Sequence, residues 1–270
     1  MPETLENTAH DQLIMSAPQR EDVKAKIRAY TQMEWPYEAC GFIVRAAGNR
    51  LLVMPSRNLA LDRLHDFKTC GDDWEAAEEK GEIVAIWHSH PNGKPELTNA
   101  DKTSCETLQI PFLVLAWPAN LFGYYEPSGW IHPLLGRPFV HGLLDCYSVV
   151  RDHYRIELGI QLPDFPRDDD WWLRKENVIM DNLVAAGFKV IHKGQPPADL
   201  LRRHDGLVIA MNHGIGNHCA VYLGDFMILH HPPWRPSIHT PYAPQLGGFY
   251  VQSTIAVVRH ESLLDKNLSP

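Results

Sequence analysis

Three residues far apart in the chain have the types a thiol hydrolase uses: Cys146, His218 and His230. Cys146 lies in HGLLDCYSVVRDHY, whose spacing predicts a helix over about 145–157 with the cysteine in its first turn. Free N–H groups and the positive end of the helix dipole favour a thiolate there, which lowers the thiol pKa and makes the sulfur nucleophilic. Such a thiol needs a histidine base and a third group to orient that histidine. His218 opens the alternating segment HCAVYLGD, and His230 ends FMILH. Facing residues of a hairpin share one side of the sheet. A three-residue loop centred on Gly224 pairs 218 with 230, whereas a two-residue Gly224-Asp225 loop pairs 218 with 231. Spacing alone leaves that choice open.

A second set lies upstream, in HSHPNGKPELTNAD. His88 and His90 are two apart at the end of an apolar run, so on a strand both rings face one side. Asp101 can return from the start of the next helix. Two imidazole nitrogens and one carboxylate oxygen leave a tetrahedral position for water, as in a catalytic rather than a closed structural metal site. That chemistry needs a proton carrier, and Glu38 in PYEACGF stands at the start of a predicted buried strand. With 15 histidines in the chain, chance pairs are expected, so the surrounding pattern has to decide.

The elements that would position these residues are legible in outline. A helix is predicted from Pro18 to Met33, capped by Ser16, with Val23, Ile27 and Tyr30 on one stripe. Strands are predicted over 41–45 and 51–54, a helix over 72–80 closed by Gly81 in a left-handed cap, a strand over 83–87 stopping at His88, and a helix over 99–108. Strands over 112–117 and 121–125 flank a turn at 118–120. The stretch EPSGWIHPLLGRP, with three prolines and two glycines, reads as a boundary. Beyond the 145–157 helix, a helix over 177–186 capped by Gly187 precedes strands over 206–211, 218–223, 226–230 and 249–258. Between the last two, 232–244 reads as a long proline-rich loop. The expected organisation is a first domain over 1–126, a linker over 127–138 and a second domain over 139–270. The fold class is α+β, with an α/β arrangement in the first half.

A formal net charge of −8 argues against a nucleic-acid backbone binder, which would carry a basic face. The five cysteines have no CxxC spacing, which argues against a cysteine zinc knuckle or thioredoxin-type motif, and Cys40, Cys70, Cys105 and Cys219 read as structural thiols. The acidic N-terminus MPETLENTAHDQL shows no secretory signal, and no run reaches the roughly 20 apolar residues of a membrane span.

The first set of motifs, Glu38, His88-Ser-His90-Pro91 and Thr98-Asn-Ala-Asp101, resembles the JAMM (MPN-plus) metalloprotease signature over roughly residues 20–125. The resemblance implies Zn2+ held by His88, His90 and Asp101, Glu38 as general acid/base, and hydrolysis of an amide or isopeptide bond. Thr98 stands where that family usually has serine; its hydroxyl would serve the oxyanion. The second set resembles the NlpC-type cell-wall cysteine peptidases, a papain-like α+β family, over about residues 135–260. Its marks are D-C at a helix start, N-H-C-A-V-Y-L-G-D, and I-L-H twelve residues past the first histidine, a spacing that selects His230 over His231. It implies Cys146 as nucleophile, His218 as base and His230 as orienter, acting on peptidoglycan stem peptides, with Asp145 shaping the substrate pocket. Tyr147 replaces the usual serine of D-C-S, and no upstream tyrosine matches the family's oxyanion residue; Phe139 and His141 are the nearest aromatic positions.

A JAMM half followed by an NlpC-type half resembles the tail-tip assembly proteins of long-tailed bacteriophages, of the lambda K type. That resemblance implies a protein made in host cytoplasm and carried at the virion tail tip. Other tail-tip proteins would be its partners, and it would act in assembly or in opening the cell wall or periplasm for DNA delivery. The alternative is a structural tail-tip factor with vestigial sites. A host-directed isopeptidase is a third reading, disfavoured because no ubiquitin-binding insertion is evident. Premature hydrolysis would be harmful, so partner contacts or the 232–244 loop are expected to restrict access.

Overall fold

The computed structural model describes residues 20–168, 170–212 and 214–266. The chain forms two compact units that divide between Trp130 and Ile131. The cap expected at Ser16 and Pro18 lies outside the described residues.

The first unit contains α1 (Glu21–Glu34), β1 (Cys40–Ala46), β2 (Arg50–Ser56), α2 (Gly71–Glu78), β3 (Glu82–Pro91), α3 (Asn99–Leu108), β4 (Phe112–Trp117) and β5 (Leu121–Tyr125). Its sheet has the order β2-β1-β3-β4-β5, antiparallel except for β3 and β4, which run parallel with α3 as their crossover. The alternation of side chains assigns the faces. Ala85 and Trp87 join Val23, Ile27 and Ile43 in a core under α1. Ile86 joins Phe42, Val44, Ala77 and Cys105 in a second core under α2 and α3. Trp87 is fully buried and stacks on Tyr30 with centroids 6.1 Å apart. Two expectations change here. The strand does not stop at His88; β3 continues through His90 to Pro91, because Ser89 N–H donates to the Ala39 carbonyl at 2.9 Å and keeps the ladder going. Nor is Gly81 a left-handed helix cap. α2 ends at Glu78, with Glu79 as its cap residue, and Gly81, at φ 153°, is required because any Cβ there would lie 2.1 Å from the Arg45 carbonyl oxygen.

The second unit contains α4 (Cys146–His153), α5 (Val178–Ala185), β6 (Phe188–Lys193), β7 (Gly206–Ile209), β8 (His218–Gly224), β9 (Met227–His230), β10 (Ile238–Pro241), α6 (Phe249–Gln252) and β11 (Thr254–His260). A π-helical turn, Tyr154–Leu158, extends α4. The six strands form one antiparallel sheet, β10-β9-β8-β7-β11-β6. On one face Val150, Ile179 and Leu183 of the helices pack on Val208, Cys219, Val221 and Val258. On the other face Ala220, Tyr222 and Ile228 pack with Tyr242 and Val251.

Three sequence expectations are corrected in this unit. The segment 249–258 is not one strand: its β-branched composition suggested one, but a short helix buries Val251, and the strand begins at Thr254, whose Oγ1 donates to the Tyr250 carbonyl. The segment 232–244 is not all loop, since β10 pairs with β9 as an edge strand ending at a proline. The third concerns the hairpin. Neither predicted register occurs. Asp225 and Phe226 form the two-residue loop, both with positive φ, and Gly224 pairs with Met227. A bulge then absorbs Leu223, so Tyr222 faces Ile228 and Ala220 faces His230.

The bulge decides which way His230 points. Without it the loop would set 221 opposite 230 and turn His230 away from the face of His218. With Leu223 spliced out of the ladder, 218, 220 and 230 share a face. Deleting Leu223 is therefore expected to remove the bulge and keep His230 on the face of His218, because Tyr222 then adjoins Gly224 and the 222–228 and 220–230 pairs are retained; loss of the NOE between the two imidazole rings by NMR would refute the register argument.

Candidate functional sites

In the first unit β1, β3 and α3 converge. Cys40 pairs with His88, so continuing the register by two sets Glu38 across from His90, with His88, His90 and Glu38 all on the α3 face. The Glu38 backbone is pinned by the Arg63 carbonyl, which accepts from its N–H at 2.8 Å, and by the Asn58 side chain, which donates to its carbonyl at 2.9 Å. Asp101 enters from the first turn of α3. Thr98 caps that helix: its Oγ1 accepts from Asp101 N–H at 3.1 Å, and its own N–H donates to Asp101 Oδ2 at 2.7 Å.

The ligand-type atoms of His88, His90 and Asp101 all lie within 4.8 Å of one another. The Nε2 atoms of the histidines are 3.0 Å apart, and they stand 3.5 and 3.6 Å from Asp101 oxygens. Tetrahedral ligands at about 2.0–2.1 Å from an ion are separated by about 3.3 Å, so the three residues fit a common cation. The tautomer of His90 agrees, because its Nδ1 donates to the Lys94 carbonyl at 2.8 Å and leaves Nε2 bare, facing His88. His88 is held by Phe67, stacked 4.4 Å away, while its buried Nδ1 has no hydrogen-bond partner. Burial opposes the charge on Asp101, but His88, His90 and Thr98 outweigh it and hold the carboxyl well below its usual range. Glu38 is buried, and burial is the main cause that pushes its carboxyl up to about 8; Asp101, Asp66 and Asp62 add to the shift while His90 opposes it. A buried carboxyl with a raised pKa thus lies beside three side chains that could hold a cation. Thr98 is adjacent as the sequence suggested, but its hydroxyl donates to Asp101 Oδ2 at 2.7 Å and so steadies that carboxylate, whose Oδ1 lies 3.5 Å from His88 Nε2.

In the second unit Cys146 is the first residue of α4. Asp145 caps the helix: its Oδ1 accepts from Ser148 N–H at 3.0 Å, and Ser148 Oγ accepts from Asp145 N–H at 2.8 Å. The other oxygen, Oδ2, accepts from Gly142 N–H at 3.0 Å and from Arg167 Nε at 2.5 Å. Both carboxylate oxygens are therefore committed to the scaffold, and burial of Asp145 is outweighed by Arg167 and Ser148, so its pKa is lowered. Tyr147 points into the core and donates to the Pro163 carbonyl at 2.5 Å. Replacing Arg167 with Ala strands a buried carboxylate and is expected to cost about 3–5 kcal/mol, read from chemical denaturation; a change under about 1 kcal/mol would show the pair to be dispensable.

His218 and His230 meet as the bulged register dictates. His218 Nε2 lies 2.9 Å from His230 Nδ1, and His230 Nε2 lies 2.8 Å from Thr240 Oγ1 on β10. The edge of Tyr250 covers His230 at 4.6 Å between centroids. His218 and His230 are buried, and Cys146 is 9% exposed. Hydrogen bonds from Cys219 and then from His218 hold the Cys146 thiol well below its ordinary range, against burial that works the other way, while burial pushes Cys219 up. Burial, with His218 and His231 adding, lowers His230 to about 3, so it stays neutral at working pH. The arrangement can move a proton from sulfur to His218 with His230 fixing the ring. Thr240, Arg167, Tyr250 and the contact of Cys219 with Cys146 were not found by sequence reasoning. The alternation HCAVYLG marks Cys219 as facing the helices, but nothing local signals Thr240, whose strand is short and proline-ended. The ring of Phe139 lies 5.3 Å between centroids from the buried His231, and His141 Nε2 is 3.1 Å from the Asp168 carbonyl oxygen.

Residues 20–130 match the prokaryotic homologs of the JAB domain, and residues 136–259 match the NlpC/P60 family. Over 239 residues the chain is 30% identical to tail tip assembly protein K of Escherichia phage N15, covering 88% of this chain and 93% of that protein. The chain belongs to the tail tip assembly protein K family. The family member of Escherichia phage lambda is 39% identical over 171 residues, 63% of this chain and 80% of that protein. Among solved structures, an NlpC/P60 family protein from Bacillus cereus is similar at 14% identity with a TM-score of 0.30, over 87% of this chain and 66% of that one. This tail tip assembly protein is a two-domain α+β chain, JAB-like first and NlpC/P60 second. No helix among the described residues is long and apolar enough to cross a membrane.

Proposed function

We propose that this family K protein is a two-site hydrolase of the phage tail tip. Its second unit cleaves peptidoglycan stem peptides with Cys146 as nucleophile, His218 as base and His230 as orienter. The observation that supports this is the 2.9 Å approach of His218 to His230, with Cys146 first in a capped helix and His218 among the groups that lower its pKa. Sulfur loses its proton to His218 and attacks the peptide carbonyl. His218 returns the proton to the departing amine, leaving an acyl-thioenzyme that water hydrolyses.

In the first unit His88, His90 and Asp101 would hold Zn2+, which when bound supplies Lewis-acid activation of water and carbonyl. Glu38 takes the proton from water and delivers it to the leaving amine, and Thr98 keeps Asp101 in place. The bond cut is an amide or isopeptide, in a peptidoglycan crosslink or in a tail protein that matures by cleavage. The work is done at the virion tail tip, among other tail-tip proteins, at the host wall or periplasm.

The test is digestion of purified sacculi by the wild-type chain with released peptides identified by mass spectrometry. Release of stem-peptide fragments supports the reading. No release, together with infectious phage assembled from Cys146→Ala and His88→Ala genomes, would replace it with a structural tail-tip role. Restriction of access by 232–244 takes a narrower form, since that segment includes β10 and Ser237, which accepts from Arg137 N–H at 2.9 Å. Its exposed tip at Trp234 is the part available to a gate.

A further inference from the structure

We infer that Thr240 is a positioning residue that accepts the Nε2 proton of His230 and so leaves His218 able to act as a base. This rests on the reading of Cys146 and His218 as nucleophile and base. Nε2 of His218 is taken up by His230, so Nδ1 is the nitrogen left for the Cys146 thiol. To accept the thiol proton, Nδ1 must carry a lone pair, which puts the neutral ring's proton on Nε2. That proton is donated to His230 Nδ1, which must then be bare. His230 therefore carries its own proton on Nε2, and Thr240 Oγ1, 2.8 Å away, accepts it.

The opposite polarity inverts every step. If the Thr240 hydroxyl donates to His230 Nε2, the His230 proton moves to Nδ1 and faces His218 Nε2. The His218 proton is then forced onto Nδ1, against the thiol, and no base remains. A residue at 240 that accepts therefore matters more than one that merely fills space. Its placement is a product of register: Ile238 pairs with His230, so Thr240, two further on, shares the face of His230 on the neighbouring strand. After proton transfer the same polarity persists, with imidazolium Nε2–H donating to His230. The groups around this chain are few. Cys146 meets Cys219, His218 and Asp145, and His230 meets His218, His231, Tyr250 and Thr240.

The experiment uses the full chain and reads no turnover. Alkylation of Cys146 by iodoacetamide is followed against pH by mass spectrometry of the Cys146 peptide, in wild type, Thr240→Val, Thr240→Ser and His218→Ala. Thr240→Val keeps the shape and removes the acceptor. It is expected to raise the midpoint by about one unit, or roughly tenfold less alkylation in the acidic range, while Thr240→Ser restores the wild-type curve. Coincident curves for wild type and Thr240→Val, or equal shifts for Val and Ser, overturn the role of Thr240. A His218→Ala curve that coincides with wild type overturns instead the reading beneath it, because the thiol would then owe nothing to the histidine.

Discussion

Cys146→Ala is expected to abolish release of stem peptides from sacculi, a loss of roughly 10⁴–10⁶-fold in kcat, as for removal of a nucleophile that acts as a unit with its base. The physical reason is that no other group can form the acyl intermediate. Cys219, the neighbouring thiol, has its pKa raised by burial and lies in the hydrophobic core under the helices. His218→Ala should lose a comparable amount. His230→Ala should lose less, on the order of 10²–10⁴-fold, since orientation fails while base and nucleophile remain. The pH profile carries the sign. Because the Cys146 pKa is lowered, the reactive thiolate is present in the acidic range and is lost only as pH falls through that lowered value. Sacculus digestion by the Ala variant at a wild-type rate would remove this site from the function altogether.

The second large effect concerns the first unit. The purified chain is expected to bind one Zn2+, measured by elemental analysis, and His88→Ala to weaken it by at least about 100-fold, given that even a residue supporting a ligand costs about 10–100-fold. Glu38→Gln should keep the metal and lose hydrolysis by roughly 10²–10⁴-fold, the usual contribution of a general acid/base. The pair of variants separates holding an ion from using it. Thr98→Ala should fall between them: Asp101 loses a hydroxyl donor and its helix loses a cap worth about 1 kcal/mol, so affinity drops while the proton carrier stays. Wild-type chain free of bound zinc, with His88→Ala indistinguishable from it, would mean that the three side chains meet for structural reasons.

Much of both sites was legible because the chemistry was written in local spacing. The H-x-H pair needed only strand alternation to face one way, and β3, although longer than expected, kept that alternation through both histidines. Asp101 needed only its place in the first turn of a helix, and Cys146 needed only a capped start. The resemblance gives the Asp145 side chain a share in the substrate pocket. Its actual partners, Ser148, Gly142 and Arg167, commit it to holding the helix start, and Arg167 is too distant in sequence for any local pattern to announce it. The role expected of Thr98 shifted for a similar reason: a hydroxyl at a helix cap is claimed first by the nearest backbone and carboxylate.

By itself the sequence determined two hydrolase-like motif sets, their order, and the two α+β units that carry them, because each motif depends on short-range periods of strand and helix. Only the tertiary structure decided how the histidine chain is wired. A single bulged residue, Leu223, sets which face His230 takes, and a short edge strand supplies Thr240 beneath it. Register over that distance reflects the balance of turn geometry and cross-strand packing across whole strands, and a slip of one residue leaves composition and spacing unchanged while reversing every side chain.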